Sequence, residues 1–200
     1  MFKKKIETQE KIHEFIANRW SGRAYDEKRS VANKDIISLL EAARWAPSCF
    51  GDEPWRYIVC DKTSNEVAWG KAFSCLVEGN QSWAANAPVL ILALANTMFS
   101  NNKKPNRWSQ YDTGAASMSL CLQATSLDLM VHQMGGFSAE KTAELFSIPD
   151  QFTSMAIMAV GYQLPEDEIT EEMMEQESSE RRRDPLDEQF FDGEWGKPIR

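Results

Sequence analysis

Apolar positions repeat with the period of a helix in some segments of the chain and form short unbroken runs in others. Residues 11–20 and the segment between Asn33 and Pro47 carry apolar side chains at helical spacing, which predicts two amphipathic helices. Residues 89–94 form a continuous apolar run that is typical of a strand buried on both faces. Residues 155–160 predict a second buried strand.

Capping residues divide the rest of the chain into shorter elements. Asn33 is expected to cap the helix that follows it, Thr63 with Glu66 matches a capping box, and Ser138 is expected to cap a later helix. The remaining predicted elements are a strand over residues 55–60 and helices over residues 63–77, 80–86, 112–130 and 138–146. The elements do not follow a strict βαβ rhythm, and no GxGxxG motif follows a strand. An α+β layered sheet is therefore predicted rather than a Rossmann domain.

Composition and charge exclude several classes of protein. The net charge of −8 argues against a nucleic-acid-binding protein, because such proteins normally have a basic face. Cys49, Cys60, Cys75 and Cys121 show neither paired nor metal-like spacing, so we expect reduced cysteines and no metal site. The longest apolar run, residues 88–95, is too short to cross a bilayer, and the amino terminus lacks a signal-peptide pattern. A cytoplasmic location without membrane contact is therefore expected.

Two segments carry the candidate chemistry. Arg19 and Arg23 lie one helical turn apart, and residues 47–54 form a polar loop with free backbone amides between a helix and a strand. Guanidinium groups and loop amides are the groups that bind a phosphate-bearing cofactor. Judged by the residues alone, a solvated pair of arginines and a plain helix-to-strand turn remain open alternatives.

Taken together, these segments resemble the FMN-dependent nitroreductase family. The likeness is carried by residues 19–25, residues 42–55, Gly135-Gly136-Phe137 and Gly161-Tyr162. The resemblance implies an α+β fold in which helices sandwich a central, mostly antiparallel sheet. It also implies a single domain over residues 1–200, whose residues 163–200 form a carboxy-terminal arm that reaches over the partner subunit of a homodimer.

The same resemblance implies a function. Members of this family bind FMN at the subunit interface, take a hydride from NADH or NADPH, and reduce a small aromatic, nitro or quinone-like acceptor in a ping-pong cycle. One alternative is a non-catalytic module of the same fold that senses or stores FMN. Another alternative is a protein-interaction domain that binds no cofactor at all.

The candidate cofactor-binding residues that the family implies are Arg19, Ser21, Arg23, Pro47, Ser48, Cys49, Asn80, Gly135, Gly136, Arg181 and Arg183. The first three match a motif that holds the phosphate and faces the pyrimidine edge of the flavin. The next three match a loop that contacts the flavin, usually that of the partner subunit. The asparagine matches a pyrimidine-edge ligand, the two glycines match the segment near flavin N5, and the last two arginines complete the phosphate site.

Several alternatives and departures accompany this assignment. Asn80 also suits a helix cap, the glycine pair suits a simple turn, and the carboxy-terminal arginines suit a solvated charge run. No catalytic side chain is assigned, because flavin N5 carries the chemistry; His132 is a weak candidate for donating a proton, and a structural role is favoured. Gly51 and Glu53 stand where the family commonly has asparagine and glutamine. Trp83 replaces a cation that many relatives place against the flavin.

The carboxy-terminal arm ends in aromatic residues. Phe190, Phe191 and Trp195 follow the acidic stretch and the three arginines. Because an isolated tail rarely keeps aromatic rings in water, these rings are expected to dock on the body or on a partner chain.

Overall fold

A four-stranded antiparallel sheet forms the centre of the protein. The structure is a computed structural model that describes Lys4 and residues 6–199. Its strands are β1 (Trp55–Asp61), β2 (Val89–Asn96), β3 (Leu129–Met134) and β4 (Phe152–Tyr162). They lie in the order β1-β2-β4-β3, so β1 and β3 form opposite edges of the sheet. The α+β class and the antiparallel sheet are thus confirmed.

Helices cover both faces of this sheet. The α-helices are α1 (Glu14–Asn18), α2 (Asn33–Arg44), α3 (Glu66–Ser74), α4 (Glu78–Ala84), α5 (Ser109–Ser126), α6 (Ala139–Phe146), α7 (Glu171–Ser178) and α8 (Leu186–Gln189). Short 3-10 turns occupy Cys49–Gly51 and Glu166–Glu168. No helix in the described part of the chain is both long and apolar enough to cross a membrane.

The alternation of side chains along β2 produces two cores. Val89 and Ile91 pack with α2 and α5 on one face of the sheet. Leu90 and Leu92 pack with α3 and α4 on the other face. Because successive residues of a strand point to opposite faces, one unbroken apolar strand serves both cores. The predicted sandwich of helices around the sheet is confirmed.

The predicted long helix over residues 112–130 is wrong in its second part. Helix α5 ends at Ser126, and Asp128 has a left-handed backbone conformation with φ of 57° that reverses the chain. Strand β3 follows, with Met130 in one core and Val131 in the other. This alternation across a sheet defines a strand, although the apolar run itself also suits the end of a helix.

Several predicted boundaries and caps also change. Ala32, not Asn33, precedes α2 as the cap residue. Asn65, not Thr63, caps α3, because its side chain accepts a hydrogen bond from the Ala68 amide at 3.0 Å. Helix α1 is shorter than the predicted segment 11–20. The strands over residues 55–60 and 89–94 and the Ser138 cap are confirmed.

The aromatic end of the chain lies on the surface. Phe191 and Trp195 contact each other with their ring centroids 5.0 Å apart, yet the Trp195 side chain is 90% exposed. Phe190 is exposed as well. Phe190 and Trp195 therefore do not dock on the body of the same chain, and docking on a partner chain stays a prediction.

Candidate functional site

Residues 19–25 connect helix α1 to the sheet and are held by segments from distant parts of the chain. Arg181 donates a hydrogen bond from Nη2 to the carbonyl oxygen of Arg19 at 2.8 Å. The Arg23 amide donates to Oε1 of Glu177 at 2.8 Å. The candidate residues at the two ends of the chain therefore meet, as the sequence analysis required.

A cluster of guanidinium groups forms where these segments meet. Arg181 also donates to the carbonyl oxygen of Ala17. Burial lowers the pKa of Arg181, and the positive charges of Arg19 and Arg183 lower this pKa further. Among the described residues, no carboxylate oxygen lies within 4.0 Å of these three guanidinium groups. An uncompensated cluster of this kind is suited to binding an anion with several oxygens.

Gly22 lies at the centre of the held segment and has no space for a side chain. A Cβ atom at Gly22 would overlap Sδ of Met130 and would lie 2.9 Å from Oε2 of Glu177. Glycine is therefore required here for close packing. The backbone between Arg19 and Arg23 therefore packs directly against Met130 on β3 and Glu177 on α7.

His132 on β3 holds the same segment from the other side. Its Nδ1 lies 3.0 Å from the carbonyl oxygen of Gly22, so Nδ1 must carry the proton, because a carbonyl oxygen only accepts. Burial lowers the pKa of His132. The hydrogen bond to Gly22 acts in the opposite direction, and the positive charges of Arg23 and Arg19 lower the pKa further. A neutral imidazole that fixes the backbone is a structural role, and proton donation by His132 stays a prediction.

Trp83 links this segment to helix α4. Its ring centroid lies 4.5 Å from that of His132 and 6.2 Å from that of Tyr25. The guanidinium carbon of Arg23 lies 5.9 Å from the centroid of the Trp83 ring. Trp83 is buried, so the aromatic residue at this position belongs to the core and leaves Arg23 as the cation on the exposed side.

Asn80 and Gly136 come together at the end of β3. The Asn80 side chain donates from Nδ2 to the carbonyl oxygen of Gly136 at 3.0 Å, and the Val77 amide donates to the same oxygen at 3.0 Å. A Cβ atom at Gly136 would lie 2.8 Å from Asn80 Nδ2, whereas one at Gly135 would meet nothing within 4 Å. Val77 occupies the cap position of α4, so the alternative of Asn80 as a helix cap is wrong.

The loop that contains Pro47, Ser48 and Cys49 lies away from the guanidinium cluster of its own chain. The Cys49 amide donates to Oδ2 of Asp112 on α5 at 3.0 Å, and Ser48 Oγ accepts from the Glu53 amide at 3.1 Å. The loop leads into β1, which two strands separate from β3. Three inter-strand spacings amount to about 14 Å, so this loop does not join the guanidinium cluster of its own chain.

The remaining candidate residues are on the surface. Ser21 is exposed and accepts a hydrogen bond from Nη1 of Arg19 at 3.4 Å. Arg183 is exposed and donates to the carbonyl oxygen of Arg182 at 2.6 Å. Its charge nevertheless acts on Arg181, which places it beside the cluster.

Three residues at the site were missed by sequence reasoning. Gln176 accepts a hydrogen bond from Nη1 of Arg23 at 3.1 Å, and Glu177 accepts from the Arg23 amide. The pKa of Lys4 is lowered, mainly by burial; the negative charge of Glu177 opposes this effect and the positive charge of Arg181 adds to it. Lys4 therefore also lies near the cluster. In the sequence Gln176 and Glu177 belong to an acidic stretch that suits a solvated helix. No local signal distinguishes them from their neighbours.

Two clefts of the structure lie away from the candidate residues. Their volumes are about 170 and 560 Å³, and they are lined by residues such as Lys62 and Asn86, or Asp192 and Ile199. Within the described residues, no group of three or more histidine, cysteine or acidic side chains is placed to hold a metal ion.

The buried imidazole predicts a pH dependence of stability. Folding lowers the pKa of His132 below its ordinary value of 6.5, so the stability that depends on its neutral form is complete above that pH and is lost as the pH falls below it. We expect the wild type to lose thermal stability between about pH 7.5 and about pH 5.5 more steeply than His132→Asn, which keeps a donor for Gly22.

Thermal unfolding at a series of pH values measures this difference. His13→Asn, which removes the other histidine but keeps a capping group for α1, should retain the slope of the wild type. Equal slopes for the wild type and His132→Asn would contradict the prediction.

Comparison with known proteins identifies the family. Residues 16–162 match the model of the nitroreductase family. A protein of Methanothermobacter thermautotrophicus named "Putative NADH dehydrogenase/NAD(P)H nitroreductase" is 30% identical over 157 residues, which are 76% of this chain and 76% of the relative. A protein of Archaeoglobus fulgidus with the same name is 29% identical over 164 residues, which are 80% of this chain and 88% of the relative.

A solved structure gives the same result for the fold. It is described as an oxidoreductase containing FMN, superposes with a TM-score of 0.85 at 31% sequence identity, and each chain is covered to 96%. Because the family model spans most of the chain, from α1 to the end of β4, the assignment does not depend on one short motif. The chain belongs to the nitroreductase family.

Proposed function

We propose that this protein is an FMN-dependent oxidoreductase that passes electrons from NAD(P)H to a small aromatic, nitro or quinone-like acceptor. The observation that carries the proposal is the guanidinium cluster of Arg19, Arg181 and Arg183 without a paired carboxylate among the described residues, in a chain of the nitroreductase family. The relative described as containing FMN supports the choice of cofactor. Bound FMN would supply hydride chemistry at N5, serving NAD(P)H and the acceptor in turn in a ping-pong cycle.

The cluster fits the phosphate of FMN. Arg19 and Arg183 raise the positive potential around Arg181, and a dianion would relieve the repulsion among them. Arg181 uses Nη1 and Nη2 to reach two carbonyl oxygens. Since a guanidinium group has five N–H donors, about three remain for a ligand. Ser21 adds a hydroxyl group at the same surface.

The exposed side of the site fits the ring system. Arg23 presents a positive charge that would stabilise negative charge at the pyrimidine edge, and this effect raises the potential of a flavin. Asn80 donates from Nδ2 to Gly136, so its Oδ1 is the group left to accept from a ligand. The open space beside Gly135 lets a flat ring approach the backbone at the end of β3.

A second copy of the chain would complete the site. The loop 47–49 lies at the opposite edge of the sheet from the guanidinium cluster, so one chain cannot bring both against one flavin. Phe50, which follows this loop, is 86% exposed, and Tyr111, which precedes the Asp112 that binds Cys49, is also exposed. Apolar rings in this position suit a contact with a two-fold-related partner, which supports a homodimer with two shared sites. A cytoplasmic location stays a prediction from the sequence.

The visible spectrum and a steady-state assay test the function directly. We expect the purified protein to be yellow, or to become so when FMN is added, and to oxidise NADH or NADPH when a quinone or a nitroarene is present. A flavin that stays oxidised after NAD(P)H is added would favour the non-catalytic FMN-binding module. A colourless protein that does not bind added FMN would contradict both interpretations.

The phosphate role of Arg19 predicts a specific loss of cofactor. We expect Arg19→Ala to weaken FMN binding by about 1.5–3 kcal/mol, the scale of a hydrogen bond to a charged group. Arg182→Ala is the matched control, because Arg182 lies between Arg181 and Arg183 in the sequence but pairs with Glu180 at 2.8 Å. Fluorescence titration of the FMN-free proteins measures both affinities. Equal losses in the two variants would argue against a phosphate ligand at position 19.

Mixed dimers test whether the partner supplies the loop. Arg19→Glu and Ser48→Trp each damage both sites of a homodimer. In a mixed dimer, both lesions would fall on one shared site and leave the other intact, so we expect about half of the wild-type FMN content per dimer. Two affinity tags allow the mixed dimer to be purified for measurement of bound flavin. No recovery above the two parent variants would mean that the loop does not act across the interface.

A further inference from the structure

Helix α7 is attached to the body of the protein through a carboxylate. Of its eight residues, all of them described, Glu177 alone is buried, and its side chain is only 2% exposed. A surface helix is normally held by apolar side chains, because burying a charged group is costly unless the group is hydrogen-bonded or paired. The use of an acidic residue at this position therefore requires an explanation.

The contacts of α7 converge on Arg23. Glu177 Oε1 accepts a hydrogen bond from the Arg23 amide at 2.8 Å. The neighbouring Gln176 accepts from Nη1 of Arg23 at 3.1 Å. The same guanidinium group lies over the ring of Trp83, with its carbon 5.9 Å from the ring centroid. The backbone and the charged end of Arg23 are thus fixed by two adjacent residues that lie more than 150 positions away.

Arg23 stays available to a ligand in spite of these contacts. Its side chain is exposed, and among the described residues no carboxylate oxygen lies within 4.0 Å of its guanidinium group. Glu177 bonds the backbone amide, and Gln176 is neutral. The arrangement therefore orients the cation without an ion pair on its charged end.

Burial of the Glu177 carboxylate carries a desolvation cost that a neutral side chain would avoid. Burial raises the pKa of Glu177, and this effect outweighs the opposing hydrogen bonds from the Arg23 and Ala24 amides and the charges of Lys4 and Arg23. Tyr25 is the other titratable group that faces it. A folded state that raises the pKa of a carboxyl group loses stability as the group ionises at higher pH. A neutral side chain of the same shape would therefore cost less at neutral pH.

We propose that Glu177 and Gln176 are positioning residues that set the orientation of Arg23 toward the pyrimidine edge of the flavin. Through Arg23 they govern the affinity for FMN and the reduction potential of the bound flavin. This inference rests on the proposed function. It adds a role for helix α7, which neither the family motifs nor the guanidinium cluster assigns.

A set of four variants tests the inference. Glu177→Gln keeps an oxygen that can accept from the Arg23 amide, whereas Glu177→Ala removes it without a further change of charge. Gln176→Ala releases the guanidinium group alone. Glu172→Gln is the control, because Glu172 is an exposed residue of the same helix and undergoes the same change of charge as Glu177→Gln.

Three measurements are made on each variant: thermal stability of the FMN-free protein, the dissociation constant for FMN, and the midpoint potential of the bound flavin. We expect Glu177→Ala to bind FMN roughly 10-fold more weakly than Glu177→Gln, the upper end of the scale for a lost hydrogen bond between uncharged groups. The flavin potential should be lower in Glu177→Ala than in Glu177→Gln, and lower in Gln176→Ala than in the wild type. Glu172→Gln should match the wild type in all three measurements.

The outcomes that overturn the inference are distinct from failure of the proposed function. Failure of the wild type to bind FMN would overturn both. If the wild type binds FMN while Glu177→Ala and Glu177→Gln share one affinity and one potential, only the positioning role is wrong. Loss of thermal stability in Glu177→Ala with unchanged FMN binding would also reduce Glu177 to a structural contact. Gln176→Ala changes an exposed side chain, so it tests the potential even if Glu177→Ala does not fold.

Discussion

Repulsion among guanidinium groups at the β3 edge of the sheet is the constraint on which the rest of the site depends. Arg19 and Arg183 lie close enough to Arg181 for their positive charges to lower its pKa, in addition to the effect of burial. Carboxylates would remove this repulsion but would also remove the capacity to bind an anion. The fold instead fixes Arg181 with backbone carbonyl oxygens, which bind its N–H groups without neutralising its full charge.

This arrangement makes the two ends of the chain interdependent. The segment of residues 19–25 makes few contacts with itself and is fixed by His132, Glu177 and Arg181. Two of these contacts come from residues that follow the last strand of the sheet. The carboxy-terminal segment is therefore part of the proposed binding surface, although it lies beyond the residues that match the family model.

The antiparallel sheet provides a rigid frame and also divides the site. Its order puts β1 with the loop 47–49 at one edge and β3 with Gly136 at the other. A rigid sheet cannot fold its two edges onto one ligand. Rotation of a second copy by a two-fold axis is the simplest way to bring opposite edges together, and it produces two equal sites. The same sheet that separates the halves within a chain can thus unite them between chains.

The sequence by itself determined the local features of this protein. The strands β1 and β2, the end of α2 before Pro47 and the Ser138 cap follow from short-range periodicity and turn chemistry, and the family motifs placed the candidate arginines. Only the tertiary structure decided that residues 129–134 form a strand, because that depends on pairing with β4 and on the turn at Asp128. It also decided that Glu177 supports Arg23. Such contacts join positions far apart in the chain, and no local pattern of side chains encodes them.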